Sequence, residues 1–237
     1  MFSPTTRSLA AAAGLAMATA SLAACTPSSS AHGLAVVATT TQICDYVTQI
    51  AARSADISLD KTDAAGKNSH VGATPDGAAL TMSLTCLLAP NASAHEHEMT
   101  PAQTKALSEA DVMAVSGVDL EHFLDDAVVS SGFKGRMVVT SGVLTASDID
   151  NPGTPDPEGA YTIDRGGERV NVAPWPFPPE EAGEEPEFRF DPHVWTSPKG
   201  ARVQVANLGA GLAAAAPDAA SSINAATASY LEDIDAL

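Results

Sequence analysis

Basic side chains are scarce: 12 Lys and Arg stand against 29 Asp and Glu, for a formal net charge of −17 over 237 residues. Nucleic acid and anionic lipid are bound through basic groups, so this balance argues for no nucleic acid partner and no anionic lipid surface. Long apolar runs are missing too. The run from Leu9 to Ala20 is too short to span a bilayer as a stable helix, and no other segment approaches spanning length. The chain has no His-Glu-x-x-His, no Gly-x-Ser-x-Gly and no Cys-x-x-Cys. Metallohydrolase, serine-hydrolase and dithiol chemistry therefore lack their usual signatures. Cysteine occurs only three times, at positions 25, 44 and 86.

The amino terminus has the three parts of an export signal. Arg7 supplies the positive start, Leu9 to Ala20 the apolar stretch, and a small-residue segment ends at Leu22-Ala23-Ala24-Cys25. Leu-Ala-Ala-Cys in that position resembles the bacterial lipobox. The resemblance implies that residues 1–24 are removed and that Cys25 carries a lipid, anchoring the protein to the outer face of the bacterial cell membrane. An ordinary signal peptide with a coincidental cysteine is the alternative. Residues 25–33 follow as a flexible tether, Ser-rich from Thr26 to Ala31. With Cys25 acylated, Cys44 and Cys86 remain as a pair in an oxidising compartment. They are either bonded, closing a loop of about 43 residues worth roughly 4 kcal/mol on a chain-entropy estimate, or two buried free thiols.

Beyond the tether, apolar runs alternate with helical periodicity. Leu34–Thr40, Leu80–Leu88, Val112–Val115 and Arg136–Thr140 read as buried strands. Helices are expected around Ile43–Ala51, from Thr100-Pro101 to Ala110, and over Leu120–Val128. Thr100 and Gln103 suit a capping box, and Gly132 is placed to end the third helix. Residues 54–79 are polar and read as an irregular surface excursion. The alternation predicts an α/β lobe over residues 34–196: a parallel sheet with flanking helices. An acidic, Pro-rich loop at about 146–190 reads as a solvated insertion, with a hairpin near Ala160 to Val172. Ser197-Pro198 opens a helix that Pro217 interrupts, and a second apolar periodicity runs from Ile223 to Leu237.

Six histidines are present, in different settings. His32 lies in the tether and His70 in the polar excursion, where both read as solvated. His122 is expected on the outer face of a helix, uninvolved in binding. His95 and His97 occur in Ala94-His95-Glu96-His97-Glu98, a loop at the carboxyl end of a strand, where open α/β sheets bind ligands. His193 occurs in Asp191-Pro192-His193-Val194-Trp195. Neutral imidazoles on two such loops could share a divalent metal ion, with a neighbouring carboxylate fixing the tautomer. Spacing alone does not require it, since loop histidines so far apart are more often unrelated.

These segments together resemble the metal-binding receptors of bacterial zinc and manganese ABC importers, the cluster A-I solute-binding lipoproteins. Val36-Val37-Ala38-Thr39-Thr40 is similar to the family's first strand. Pro90 to Pro101, carrying His95-Glu96-His97-Glu98, is similar to its "PG-x-DPHEYEPTP" segment. Leu107-Ser108-Glu109-Ala110-Asp111 matches its "LS-x-AD" continuation, and Asp191-Pro192-His193 its second histidine motif. The resemblance implies a two-lobe receptor with its metal in the cleft, zinc favoured over manganese, and an ABC permease as partner rather than any catalytic activity. The metal histidines fall on His95 and His193, with His97 and Glu96 as additional candidates. Ser93-Ala94 departs from the family's Asp-Pro, and His97 replaces an aromatic residue. The family's other two ligands come from a second lobe beyond a long bridging helix. Residues 197–237 read as the beginning of that helix, with the C-terminal lobe absent. A metal-dependent hydrolase and a surface adhesin are the alternative readings, with Glu96 or Glu98 as general-base candidates for the former.

Overall fold

The computed structural model describes Met1 and residues 33–152, 159–179 and 183–237. Apart from Met1, these belong to a compact unit of residues 31–237. The leader, Cys25, His32 and nearly all of the tether lie outside the described residues.

The chain runs β1 (Leu34–Ala38), α1 (Thr41–Ala52), β2 (Ile57–Thr62), β3 (Asn68–Gly72), β4 (Leu80–Cys86), α2 (Pro101–Ser108), β5 (Val112–Val115), α3 (Leu124–Ser131), β6 (Arg136–Val139), α4 (Ala146–Asp150), β7 (Thr162–Asp164), α5 (Pro198–Ala215) and α6 (Ala220–Asp235). Among the described residues seven strands form one sheet in the order β3-β2-β4-β1-β5-β6-β7. Every pairing is parallel except that of β2 with β3. This is the α/β architecture expected, with two additions.

Residues 54–79 are not irregular. Ile57, Ser58 and Leu59 are buried, and β2 sits inside the sheet between β3 and β4. Asp63 turns the hairpin by accepting from the N–H groups of Ala65 and Lys67. Nor do residues 160–172 form a hairpin: β7 is a single short strand added in parallel to β6.

The strands' two-residue periodicity divides the core between the two faces. Val36, Ala38, Val112, Ala114 and Val138 face α1, α5 and α6 with Ile43, Leu208 and Ile223. Val37, Met113, Val115, Met137 and Val139 face the other side with Leu107 and Phe133. Two glycines let α5 come close to its neighbours. A Cβ at Gly211 would stand 2.5 Å from Val138 of β6, and one at Gly209 would stand 2.3 Å from Thr227 of α6. Pro217 breaks the helix as expected, and α6 lays Ile223, Ala226 and Ile234 onto the α1 and α5 side of the core.

The other local signals act where expected. Thr100 and Gln103 make their reciprocal capping bonds at 2.9 and 3.3 Å, and Gly132 ends α3 in the left-handed conformation. Cys44 on α1 and Cys86 at the end of β4 are bonded, with Cα atoms 5.6 Å apart. Among the described residues no helix is long and apolar enough to cross a membrane.

Candidate metal centre

The carboxyl ends of β4 and β5 flank that of β1, and the loops leaving them carry the chemistry. The loop after β4 holds His95. The loop after β5 holds Leu120, Glu121 and His122, and it follows an uncommon path. Gly117, Val118 and Asp119 all have positive φ, at 86°, 59° and 55°. For the β-branched Val118 this is a strained conformation. It persists because the surroundings fix it: Val118 N–H donates to Val143 O (2.8 Å) and Asp119 N–H to Leu144 O (3.1 Å). A side chain at Gly117 would meet Val143 O at 2.2 Å.

Glu121 holds the same turn from below. Its carboxylate is buried and accepts from Thr39 Oγ1 (2.6 Å), Ser116 N–H (2.6 Å) and Gly117 N–H (3.1 Å). Burial raises its pKa, and these three donors oppose the rise.

The consequence for His95 is direct. Its Nδ1 lies 3.2 Å from the Leu120 carbonyl, which can only accept, so Nδ1 carries a proton and the neutral ring keeps its lone pair on Nε2. His193 is arranged alike. Its Nδ1 lies 2.8 Å from Asp191 Oδ1, the oxygen that also accepts the His193 backbone N–H at 3.0 Å. In the neutral form of each ring Nε2 is then the nitrogen with the lone pair, in the pattern of metal-ligating histidines tied at their other nitrogen. Their centroids stand 5.4 Å apart. Burial lowers the pKa of His95 in the first place; Glu187 opposes this, and His193 and His122 add to it. A neutral imidazole is the form that ligates.

Of the residues singled out in sequence, the structure brings His95 and His193 together. His97 turns away, its ring 5.0 Å from Phe123, and Glu96 is exposed on the loop. His70 lies elsewhere, on the β2–β3 hairpin, bonded to Asp60 and to the Ala73 carbonyl at 2.9 Å each.

Three features were not anticipated. His122 is not on a helix: it precedes α3 in the turn that Glu121 anchors, and its ring lies 6.0 Å from that of His95. The acidic loop is not wholly solvated, because Phe188 is buried against His95 at 4.8 Å and against Trp175 at 5.1 Å. Trp175 also covers His193, at 5.8 Å. Residues 173–175 and 189–191 are laced by Trp175 N–H to Arg189 O (3.1 Å) and Asp191 N–H to Ala173 O (2.8 Å). The signal was available in Trp175 and Phe188 themselves, large apolar rings in a run dominated by Pro and Glu.

A single α/β lobe with histidines paired across its strand-end loops has the fold of a solute-binding protein. Residues 78–237 match the family described as ZnuA, zinc-uptake complex component A, periplasmic, and the chain belongs to that family. Solved structures agree in fold. Zinc-bound AdcA from Streptococcus pneumoniae superposes with a TM-score of 0.53 at 17% identity, covering 86% of this chain and 31% of that one. A zinc-bound ZnuA deletion mutant gives 0.53 at 16% identity, covering 86% and 55%. The metal-dependent lipoprotein YcdH from Bacillus subtilis gives 0.50 at 18% identity, covering 85% and 52%. The chain thus spans about half or less of the length of these relatives, and at such identities the likeness concerns the fold alone.

Proposed function

We propose that this protein captures a divalent transition metal ion, zinc ahead of manganese, between His95 and His193 and passes it to the permease of an ABC importer. It acts outside the cytoplasmic membrane, held there by a lipid on Cys25, as a receptor rather than an enzyme. The observation that carries the reading is the matched pair of imidazoles, each tied at Nδ1, 5.4 Å apart between centroids. A zinc–imidazole bond of about 2.0–2.1 Å puts each centroid roughly 3.2 Å from the ion, so two rings on one tetrahedral zinc stand roughly 5 Å apart. Membership of a zinc-uptake family supports the choice of metal and of partner.

The test is zinc-dependent stabilisation without turnover. At a free zinc concentration one hundred times Kd, binding stabilises the fold by about 2.7 kcal/mol, a rise in Tm of roughly 5–10 °C for a domain of this size. The shift is expected to vanish in His95→Ala and in His193→Ala; its survival in both would remove the assignment. Labelling with a fatty-acid analogue, lost in Cys25→Ala, checks the anchor.

A further inference from the structure

We propose that His122 is a third imidazole donor to the ion held by His95 and His193, so that this lobe alone offers three histidines; the inference rests on the function proposed above. Three observations place it there. The His122 ring stands 6.0 Å from that of His95, close to the roughly 5 Å expected of two rings sharing a tetrahedral zinc. All three imidazoles surround one buried ring, Phe188, at 4.8 Å for His95, 5.4 Å for His122 and 6.4 Å for His193. His122 also sits two residues beyond the carbonyl that fixes His95, so the strained turn at Gly117–Asp119 positions both.

His122 is free to complete the set. Among the described residues it has no hydrogen-bond partner, and it is exposed beside an open groove of about 260 Å³ lined by Asp119, Asp125 and Tyr161. Without an ion, no three His, Cys, Asp or Glu side chains among the described residues stand at ligating geometry. Closure therefore needs a rotation of the His122 side chain, which an exposed rotamer makes on a fast timescale and at low energetic cost. Structural zinc sites take four protein ligands, and open sites three with the last position left to another group. Three histidines from this lobe fit the second kind, with the ion accessible for transfer.

The experiment is zinc titration of the full chain, paired with zinc K-edge X-ray absorption to count imidazoles. The variant is His122→Phe, which keeps a ring against Phe188 and removes the donor. Expected are three imidazoles in the parent and two in the variant. Affinity should fall by at least the ~10- to 100-fold that losing an outer-sphere partner costs, with the same unfolding midpoint in chelator. An unchanged count and affinity in His122→Phe would overturn the proposal; if His95→Ala and His193→Ala still lose binding, the two-histidine site stands without it. Full binding in all three variants would overturn both.

Discussion

Asp191→Ala isolates what the carboxylate behind His193 does. In the native protein Asp191 Oδ1 accepts both Nδ1–H and the backbone N–H of His193, across a Pro192 whose ring fixes its own φ. One oxygen therefore sets the tautomer and the direction of the imidazole. Losing such a partner typically costs 10- to 100-fold in metal affinity, about 1.4–2.7 kcal/mol. The side chains of His193 and Asp191 are 32% and 38% exposed, so solvent screens part of the charge and the expected loss lies near the tenfold end. Asp191→Asn separates geometry from charge, since the amide keeps an acceptor oxygen and loses the formal charge. Competition against a chromophoric chelator, above the imidazole titration range, measures all three proteins. The expected order is native, then Asn, then Ala. An Asp191→Ala protein that binds zinc as tightly as the native one would show that nothing behind His193 matters, and the paired-imidazole argument would fail with it.

Two further outcomes concern the fold. Opening the Cys44–Cys86 bond, by reductant or by a double Cys→Ser substitution, releases a 42-residue sequence separation and should destabilise the lobe by roughly 4 kcal/mol on the chain-entropy estimate; identical urea midpoints with and without reductant contradict this. Glu121 has its pKa raised by burial, so between the ordinary glutamate value and its own the folded state binds more protons than the unfolded. Its contribution is fully present below the unfolded value and is lost as pH rises through the folded one. Urea unfolding across that range should show a downward slope that flattens in Glu121→Gln; a slope the substitution leaves untouched removes Glu121 as its source.

Legibility in the sequence followed burial. β1, β5 and β6 are buried almost throughout and announce themselves as apolar runs, and β4 shows the alternation of a strand with one buried face, at Met82, Leu84 and Cys86. β2 is buried only at Ile57–Leu59 and then continues as Asp60-Lys61-Thr62, so its composition resembles a loop even though its backbone pairs on both sides. β7 is three residues long, with too little pattern to find. His95 and His193 were identified through their motifs, since their contact spans nearly a hundred residues. His122 escaped because its place depends on Val118 and Asp119 adopting positive φ, which local preference disfavours and which tertiary hydrogen bonds impose. Phe188 and Trp175 escaped because Pro and Glu dominate the segment around them and give it the composition of a solvated loop.

The two ends of the sheet carry a further consequence. An unpaired strand edge is a template for another chain, and molecules held at high density are the ones most exposed to edge-to-edge polymerisation. Here one edge is β3, largely exposed, with His70 bonded back to Asp60 and no run of buried apolar side chains. The other is β7, three residues long, with Asp164 held by Arg136 at 2.9 Å. Neither offers a long apolar ladder to a second copy, so the lobe can be crowded on a surface without its sheets joining.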